Sequence, residues 1–450
     1  MNVLGTPCDP LIARDSRPFG RGQGNRARTL DWFHPSVVTG SLRSLLGKLE
    51  GGFSPQVVEV LKKIRVRGPF PALDGTLYLP CPRDLLVRDE EGTRSIFPLR
   101  PPCGGDGPEH GSGASGGGTN LPEGIVPTFL VGAEEGDDFK PAPLPPFWSV
   151  EKTVQWLVAR EDRSVEAGRD VDVSWRTVFD VAEGDRIAEA EKRGTRGKGF
   201  LAAFGRDMRT HVSIDPRMGA AAEGMLFSTT GLDFVRREEP PGSPRFAQGS
   251  FALEAEPCAE GSTNADVAKR LGSLKEHLGC LNHLHPLGGE RRLVHWKCVK
   301  PTPSLWDCPE QVRQALDEKG GRVRLQLATP ALFSGGWLPG WLSERDDKGC
   351  FVGSPPGLDR PVRLRLVSAV VGRWIPLSGW NLEKGKPYGP KPLRRMVPAG
   401  SVYFFESADE HQRLAPLAGR WLHSVCDEEQ DRLDGFGLAL WGVWNPVKRG

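Results

Sequence analysis

From Arg322 to Ala328 the chain alternates strictly, with Val323, Leu325 and Leu327 on one face. A repeat of two is the side-chain period of a half-buried strand. Similar short strand-like runs recur at Val66 to Phe70, Thr76 to Leu79, Trp175 to Val181, Phe200 to Phe204, His211 to Ile214, Phe251 to Glu256, Leu293 to Val299, Pro361 to Val371, Ser401 to Glu406 and Leu438 to Trp444. The 56 glycines and 40 prolines punctuate these runs and argue for turns and long loops over a helical bundle. Helical spacing is confined to a few stretches. One is opened by Ser36 or Thr39 and runs to about Lys48; the others are Gln56 to Ile64, Ser149 to Ala159 and Asn264 to His277. Many strands with a few helices predict an α+β fold with antiparallel or mixed sheets.

With 450 residues the chain has room for two to four domains. The 59 basic and 57 acidic residues leave a net charge of only +2. A nucleic-acid contact would therefore have to come from local basic patches. Nine cysteines are scattered without a Cys-x-x-Cys pair, which fits free thiols in a reducing compartment. Met1 to Asp9 does not have the form of a signal peptide, and no apolar run of ~18 residues is present to span a bilayer. A soluble, cytoplasmic protein without membrane contact is expected.

The basic residues cluster around glycine-broken turns. In Leu287-Gly288-Gly289-Glu290-Arg291-Arg292-Leu293-Val294 two glycines precede two arginines and a strand. Glycine permits positive φ and close backbone approach, and the guanidinium fork suits phosphate. Successive strand side chains face opposite ways, so only one of Arg291 and Arg292 is expected to face a ligand while the other pairs with Glu290, another acid or solvent. Between Lys192 and Arg209 stand six basic residues, among them Arg193, Arg196 and Lys198, against the single acid Asp207. That pattern predicts a projecting hairpin lying on a polyanion. With Arg14 to Arg28, Arg291 to Lys300 and Lys384 to Arg395 the basic segments number four, and the first turn of the helix near Ser36, with Arg43 beside it, is a candidate phosphate holder. Trp296, Trp380 and Tyr388 are candidate stacking partners for bases. The glycine-dominated stretch Cys103 to Thr119 reads as a mobile loop.

Two enzymatic chemistries compete. His277, Cys280, His283 and His285, with His295 and Cys298 nearby, have residue types that suit zinc but match no ligand-spacing template. His34 and His211 sit beside basic glycine-rich segments, as a ribonuclease would require, but neither has a partner defined by spacing. Walker, Gly-x-Ser-x-Gly and His-Glu-x-x-His motifs are missing from the sequence. Gly435-Phe436-Gly437 reads as a tight turn before a buried strand.

Several motifs, in one order along nearly the whole chain, resemble one family. They are Arg14 to Phe19, His34 to Arg43, Ile214-Asp215-Pro216 with Glu223 to Phe227, Leu287 to Val294, Ala328 to Phe333 with Gly335-Gly336-Trp337, Ser378-Gly379-Trp380, Lys391-Pro392, Pro398 to Phe404, and Gly435-Phe436-Gly437. The set resembles Cmr subunit three, a RAMP family of type III-B CRISPR effector complexes. Ser16 departs from the family pattern, which often has glycine there.

The resemblance implies two ferredoxin-like (RRM-like) modules, over residues 1–315 and 316–450, with a β-hairpin thumb within about residues 180–245 and long glycine-rich loops. It implies a non-catalytic subunit that grips the 5′ tag of CRISPR RNA at the foot of the complex. The implied neighbours are the large polymerase/cyclase-like subunit and a backbone RAMP subunit, with target RNA met indirectly and no cofactor or metal. The residues assigned to RNA are Arg14, Arg17, Arg43, Arg193, Arg196, Lys198, Gly288, Gly289, Arg291, Arg292 and Lys391. A RAMP-type endoribonuclease cutting CRISPR repeats, and the equivalent subunit of a type III-A complex, are the alternatives.

Overall fold

The computed structural model describes residues 1–15, 25–90, 93–102, 121–132, 138–159, 199–238, 245–258, 265–300, 305–317, 321–381, 389–409 and 411–446. The expected strand at Trp175 to Val181 and the glycine-rich stretch Cys103 to Thr119 lie outside them.

Two antiparallel sheets carry the structure. In the first, four central strands stand in the order Leu293–Val299, Asn2–Pro7, Ser250–Pro257, Ile64–Leu73. Numbered along the chain, that order is 4-1-3-2. The helices Pro35–Leu49 and Ala265–Gly279 follow the first and third of these strands. In the second sheet the corresponding order is Ala439–Val443, Arg322–Leu327, Val402–Ser407, Leu364–Val370, again 4-1-3-2. Each sheet has its own apolar core, with Val3, Leu42, Leu253 and Trp296 in the first and Leu325, Leu364, Phe405 and Trp441 in the second. The helix Glu310–Asp317 contributes Val312 and Leu316 to the second core, and Leu305 and Trp306 join them, so the sequence division at residue 315 falls inside an element of the second core.

The helix Pro35–Leu49 begins at a proline, whose fixed φ suits the first helical position. Val38, Leu42, Leu45 and Leu46 form its buried side. Neither expected cap serves: His34 occupies the cap position, and Thr39 lies inside the helix and gives its hydroxyl to the Asp434 carbonyl.

The strand Arg322–Leu327 departs from its half-buried pattern in an informative way. Its polar residues Arg324 and Gln326 are as buried as its apolar ones. The face that alternation assigns to water is covered by chain from the first half. Arg324 donates to Asp84 Oδ2 at 2.7 Å and to the Trp156 carbonyl, and Gln326 donates to the Pro80 carbonyl. Arg100 meets the same Asp84 Oδ2 at 2.8 Å, and the Trp156 indole N–H reaches Asp84 Oδ1. Both guanidinium groups lie about 5 Å from the Trp156 ring centroid. One carboxylate thus joins a β-hairpin, Leu85–Glu90 with Thr93–Arg100, and the helix Val150–Val158 to the centre of the second sheet.

Removing one partner of a buried charge cluster leaves the others desolvated and uncompensated. Asp84→Asn should therefore cost ~3–5 kcal/mol of stability, read as a lower denaturant midpoint. A variant with the parent midpoint would show that the arginines find other support.

Candidate nucleic-acid interface

The segment Pro10 to Asp15 is a backbone hub. Leu11 exchanges two hydrogen bonds with Leu232, at 2.9 and 2.7 Å. The Thr29 hydroxyl takes the Ala13 N–H and returns a bond to the Ala13 carbonyl, while the Asp15 N–H reaches the Arg28 carbonyl. The Ile12 carbonyl accepts the Gly289 N–H at 2.7 Å. Three parts of the chain that are remote in sequence therefore meet along one seam: the arginines near residues 14–28, the root of the long hairpin, and the double-glycine turn. Arg14, Arg26, Arg28 and Arg291 are exposed there.

At the turn, Gly288 adopts φ 76°, and a Cβ there would stand 2.2 Å from the Ile12 carbonyl oxygen. The close approach expected of these glycines is present, but it is made to protein backbone. Gly289 has its N–H committed to the same carbonyl, so that donor is taken by protein, while Gly288 is exposed. Glu290 and Arg291 follow with φ of 55° and 51°. Left-handed backbone costs such side chains roughly 1–2 kcal/mol per residue. The twist separates the two arginines. Arg292 pairs with Glu290 at 2.7 Å and approaches Asp9, whereas Arg291 points outward and forms no ion pair among the described residues. The division of tasks expected from sequence thus has an answer: Arg291 is the open cation.

The long hairpin pairs Gly205–Asp215 with Ala220–Asp233, and Asn25–Ala27 adds to it in parallel. Its His211 bonds to the Thr229 hydroxyl, stacks on Phe227 with 5.1 Å between ring centroids, and comes within 3.9 Å of Glu290. Of the six basic residues counted from Lys192 to Arg209, the two in this hairpin are paired, Arg206 with Asp31 and Arg209 with Asp207. Arg193, Arg196 and Lys198 lie outside the described residues, as does Arg17. The hairpin also exposes apolar side chains beside its arginines: Met208, Val212 and Leu226 share one face by register and are about half exposed.

Beside the seam a cleft of about 860 Å³ opens between the two halves. Asp15, Arg28, Trp32 and His34 line it from one side, and Trp374, Leu393 and Ala399 from the other. Trp374 is 45% exposed and carries the Arg395 guanidinium 5.0 Å from its ring centroid. Arg83 also lines the cleft and donates to the Ala399 carbonyl. A flat exposed ring flanked by guanidinium groups is suited to stack an unpaired base. Arg83 and Trp374 escaped the sequence reading because their local contexts are unremarkable; only the fold places them at the seam.

Residues 4–444 match the model of the family described as CRISPR-associated protein (Cas_Cmr3). The chain belongs to the Cas_Cmr3 family. Similar solved structures include a type III-B Cmr-beta complex bound to cognate target RNA and AMPPnP (14% identity, 90% of this chain and 86% of that chain, TM-score 0.40). The same complex bound to cognate target RNA gives 13% identity, the same coverage and a TM-score of 0.41. A Csm3–Csm4 subcomplex of a type III-A interference complex gives 12% identity, 99% and 100% coverage and a TM-score of 0.30. No curated protein matches the sequence.

Other candidates in this Cas_Cmr3 chain are engaged elsewhere. Arg43 is not open to a phosphate: it pairs with Asp434 at 2.5 Å and donates to the Ile64 carbonyl, tying its helix to the turn that ends in Gly435. Trp296 is wholly buried against Phe251 and cannot stack a base. Lys391 is exposed, with its backbone N–H held by the Gly379 carbonyl. Tyr388 and the side chain of Trp380 lie outside the described residues.

The histidine–cysteine cluster does not converge. His277 lies 3.4 Å from Glu50, His295 bonds to Asn282, and His285 is buried. No group of three His, Cys, Asp or Glu side chains among the described residues could hold a metal ion. The eight described cysteines are free. No helix among the described residues is long and apolar enough to cross a membrane.

Two outcomes test this geometry. Gly288→Ala should lower stability by ~1–3 kcal/mol through backbone strain and the clash with Ile12, visible in thermal melts without RNA; an unchanged melt would contradict the close approach. Burial pushes the His34 imidazole down to about 4. Since the unfolded chain binds this proton near pH 6.5, stability should fall as pH drops from 6.5 towards 4. His423, pushed down to about 3 by burial and nearby guanidinium groups, and His285, lowered by burial, add to the same slope, so His34→Gln should make it shallower without removing it, and an unaltered slope would mean that His34 makes no contribution.

Proposed function

We propose that this Cas_Cmr3 chain is a non-catalytic CRISPR-RNA-binding subunit of a type III-B effector complex, and that it grips the repeat-derived 5′ tag along the Pro10–Asp15 seam. The observation that carries the reading is the meeting of Arg14, Arg28 and Arg291 at one seam, beside a cleft with an exposed tryptophan. Single-stranded RNA is held by backbone electrostatics together with stacking, and both are available there. The paired 4-1-3-2 strand orders support reading the two halves as ferredoxin-like modules, and the exposed hairpin Gly205–Asp215/Ala220–Asp233 supports a thumb. In this reading the large polymerase/cyclase-like subunit and a backbone RAMP subunit are neighbours, target RNA is met through the assembled complex, and the location is the cytoplasm. The family match over residues 4–444 agrees with a place in such an assembly.

Endonuclease chemistry has less support. A general acid–base pair needs two groups within reach of one bond. His211 is held by Thr229 and Phe227 near a carboxylate, and His34 is buried and held neutral at pH 7.

The test is RNA affinity at fixed salt. A charge-assisted bond to phosphate contributes ~1.5–3 kcal/mol, so Arg291→Ala should weaken tag-RNA binding roughly 10- to 100-fold. Arg292→Ala should change it little, because exposed ion pairs contribute only about 0–1 kcal/mol. Arg291→Gly relieves the left-handed strain while removing the charge, so it should be at least as stable as the parent and bind as weakly as the alanine variant. Labelled repeat RNA should stay intact with and without Mg²⁺. Equal affinity for all three variants, or cleavage lost in His211→Ala, would defeat the reading.

A further inference from the structure

A two-stranded ribbon of the second half, Ile375–Leu377 with Arg394–Met396, lies beside the cleft. Its arms and flanks, residues 371–381 and 389–400, contain Arg373, Lys391, Arg394 and Arg395 and no acidic residue. The two adjacent arginines face opposite ways, as strand neighbours do. Arg394 turns to the helix Glu429–Asp434, where both its Nη atoms meet the buried Asp431 carboxylate and Glu428 stands 3.6 Å away. Arg395 turns to Trp374, 5.0 Å from the ring centroid. Arg394 thus anchors the ribbon and takes up Asp431 in doing so. Arg373, Lys391 and Arg395 are exposed and form no ion pair among the described residues.

A further guanidinium arrives from the first half. Arg83 is exposed, donates through Nε to the Ala399 carbonyl, and forms no ion pair among the described residues. It lies against Gly372, where a Cβ would stand 2.8 Å from its guanidinium carbon. Residue 372 must therefore be small for Arg83 to sit beside the start of the ribbon. Trp374, in the midst of this group, is 45% exposed. Cations without carboxylates around a half-exposed ring complement a single strand: phosphates supply the negative charge, and each base offers a flat face to the ring. Guanidinium forks also match phosphate oxygens in a bidentate way. The cleft joins this group to the seam, because Arg28 and Trp374 line it from opposite sides.

We propose that the RNA held at the seam crosses the cleft and is gripped a second time on the second half, with one unpaired base stacked on Trp374 and the neighbouring phosphates on Arg373 and Arg395. This second grip rests on the reading of the seam as an RNA site and extends it, so that the RNA bridges the two halves. The ring meets the face of a base and not its edge, so the stack tolerates any base at that position.

The test uses the full chain and repeat-derived tag RNA carrying 2-aminopurine at each position in turn. Stacking on an indole quenches that fluorophore, so one position should darken on binding. Trp374→Ala should restore its emission at saturating protein and weaken binding roughly 5- to 100-fold. Trp374→Phe keeps a ring and should retain most of the affinity, which guards against a folding defect in the alanine variant. Arg373→Gln combined with Arg395→Gln removes two phosphate contacts and should lower the slope of log affinity against log salt by about 1.4. Arg291→Ala should weaken binding while the same position stays quenched at saturation. Quenching that survives Trp374→Ala, or a parental salt slope in the double variant, overturns the second grip and leaves the seam standing if Arg291→Ala still weakens binding. Failure of the parent to bind tag RNA overturns both.

Discussion

Asp84 holds the two halves of this protein together. It lies fully buried between Arg100 and Arg324, with the Trp156 indole on its other oxygen. A buried ion pair need not be more stabilising than a well-packed apolar substitute. It is, however, demanding about geometry, because every donor left without an acceptor in a dry interior is costly. An apolar contact would let the hairpin at residues 85–100 slide over the second sheet. The charged cluster fixes where Arg324, at the middle of its strand, must sit. Arg43 with Asp434 repeats the device at the other helix, and Thr39 adds a second bond to the same turn.

The candidate RNA surface depends on that docking. The cleft beside the seam takes one wall from each half, Trp32 and His34 opposite Trp374 and Leu393. It does not exist in one sheet alone. A small rotation between the sheets would separate the exposed tryptophan from Arg28. Rigid polar contacts at the junction are therefore a requirement of the cleft as well as of the fold.

The turn at Gly288 shows how a sequence signal can have a structural object within the protein itself. Consecutive glycines do mark a place where backbones nearly touch, but the neighbour is the Ile12 carbonyl. The adjacent arginines do divide, and left-handed φ at Glu290 and Arg291 sends one to its own acid and the other outward. Arg206 and Arg209 raised the basic count of their segment; the second pairs with Asp207, the acid already in that count, and the first with Asp31. A linear count cannot see an acid such as Asp31 that arrives from elsewhere in the fold.

Periodicity and punctuation determined much by themselves: the α+β class, the strands around Val66, Phe251, Leu325 and Val402, the helix after Pro35, and the tight turn at Gly435-Phe436-Gly437. These are properties of a few consecutive residues, fixed by φ/ψ preference and side-chain period. The covering of a polar strand face was decided by tertiary structure. Alternation at Arg322–Leu327 says that two faces differ, not that the polar one meets water, and here Asp84 and Pro80 meet it instead. The same holds for Arg43, Trp296 and Trp374. An arginine or tryptophan has the same intrinsic chemistry in the core and at a ligand site. Which role it takes depends on partners supplied from hundreds of residues away, and only the folded chain brings them within hydrogen-bond reach.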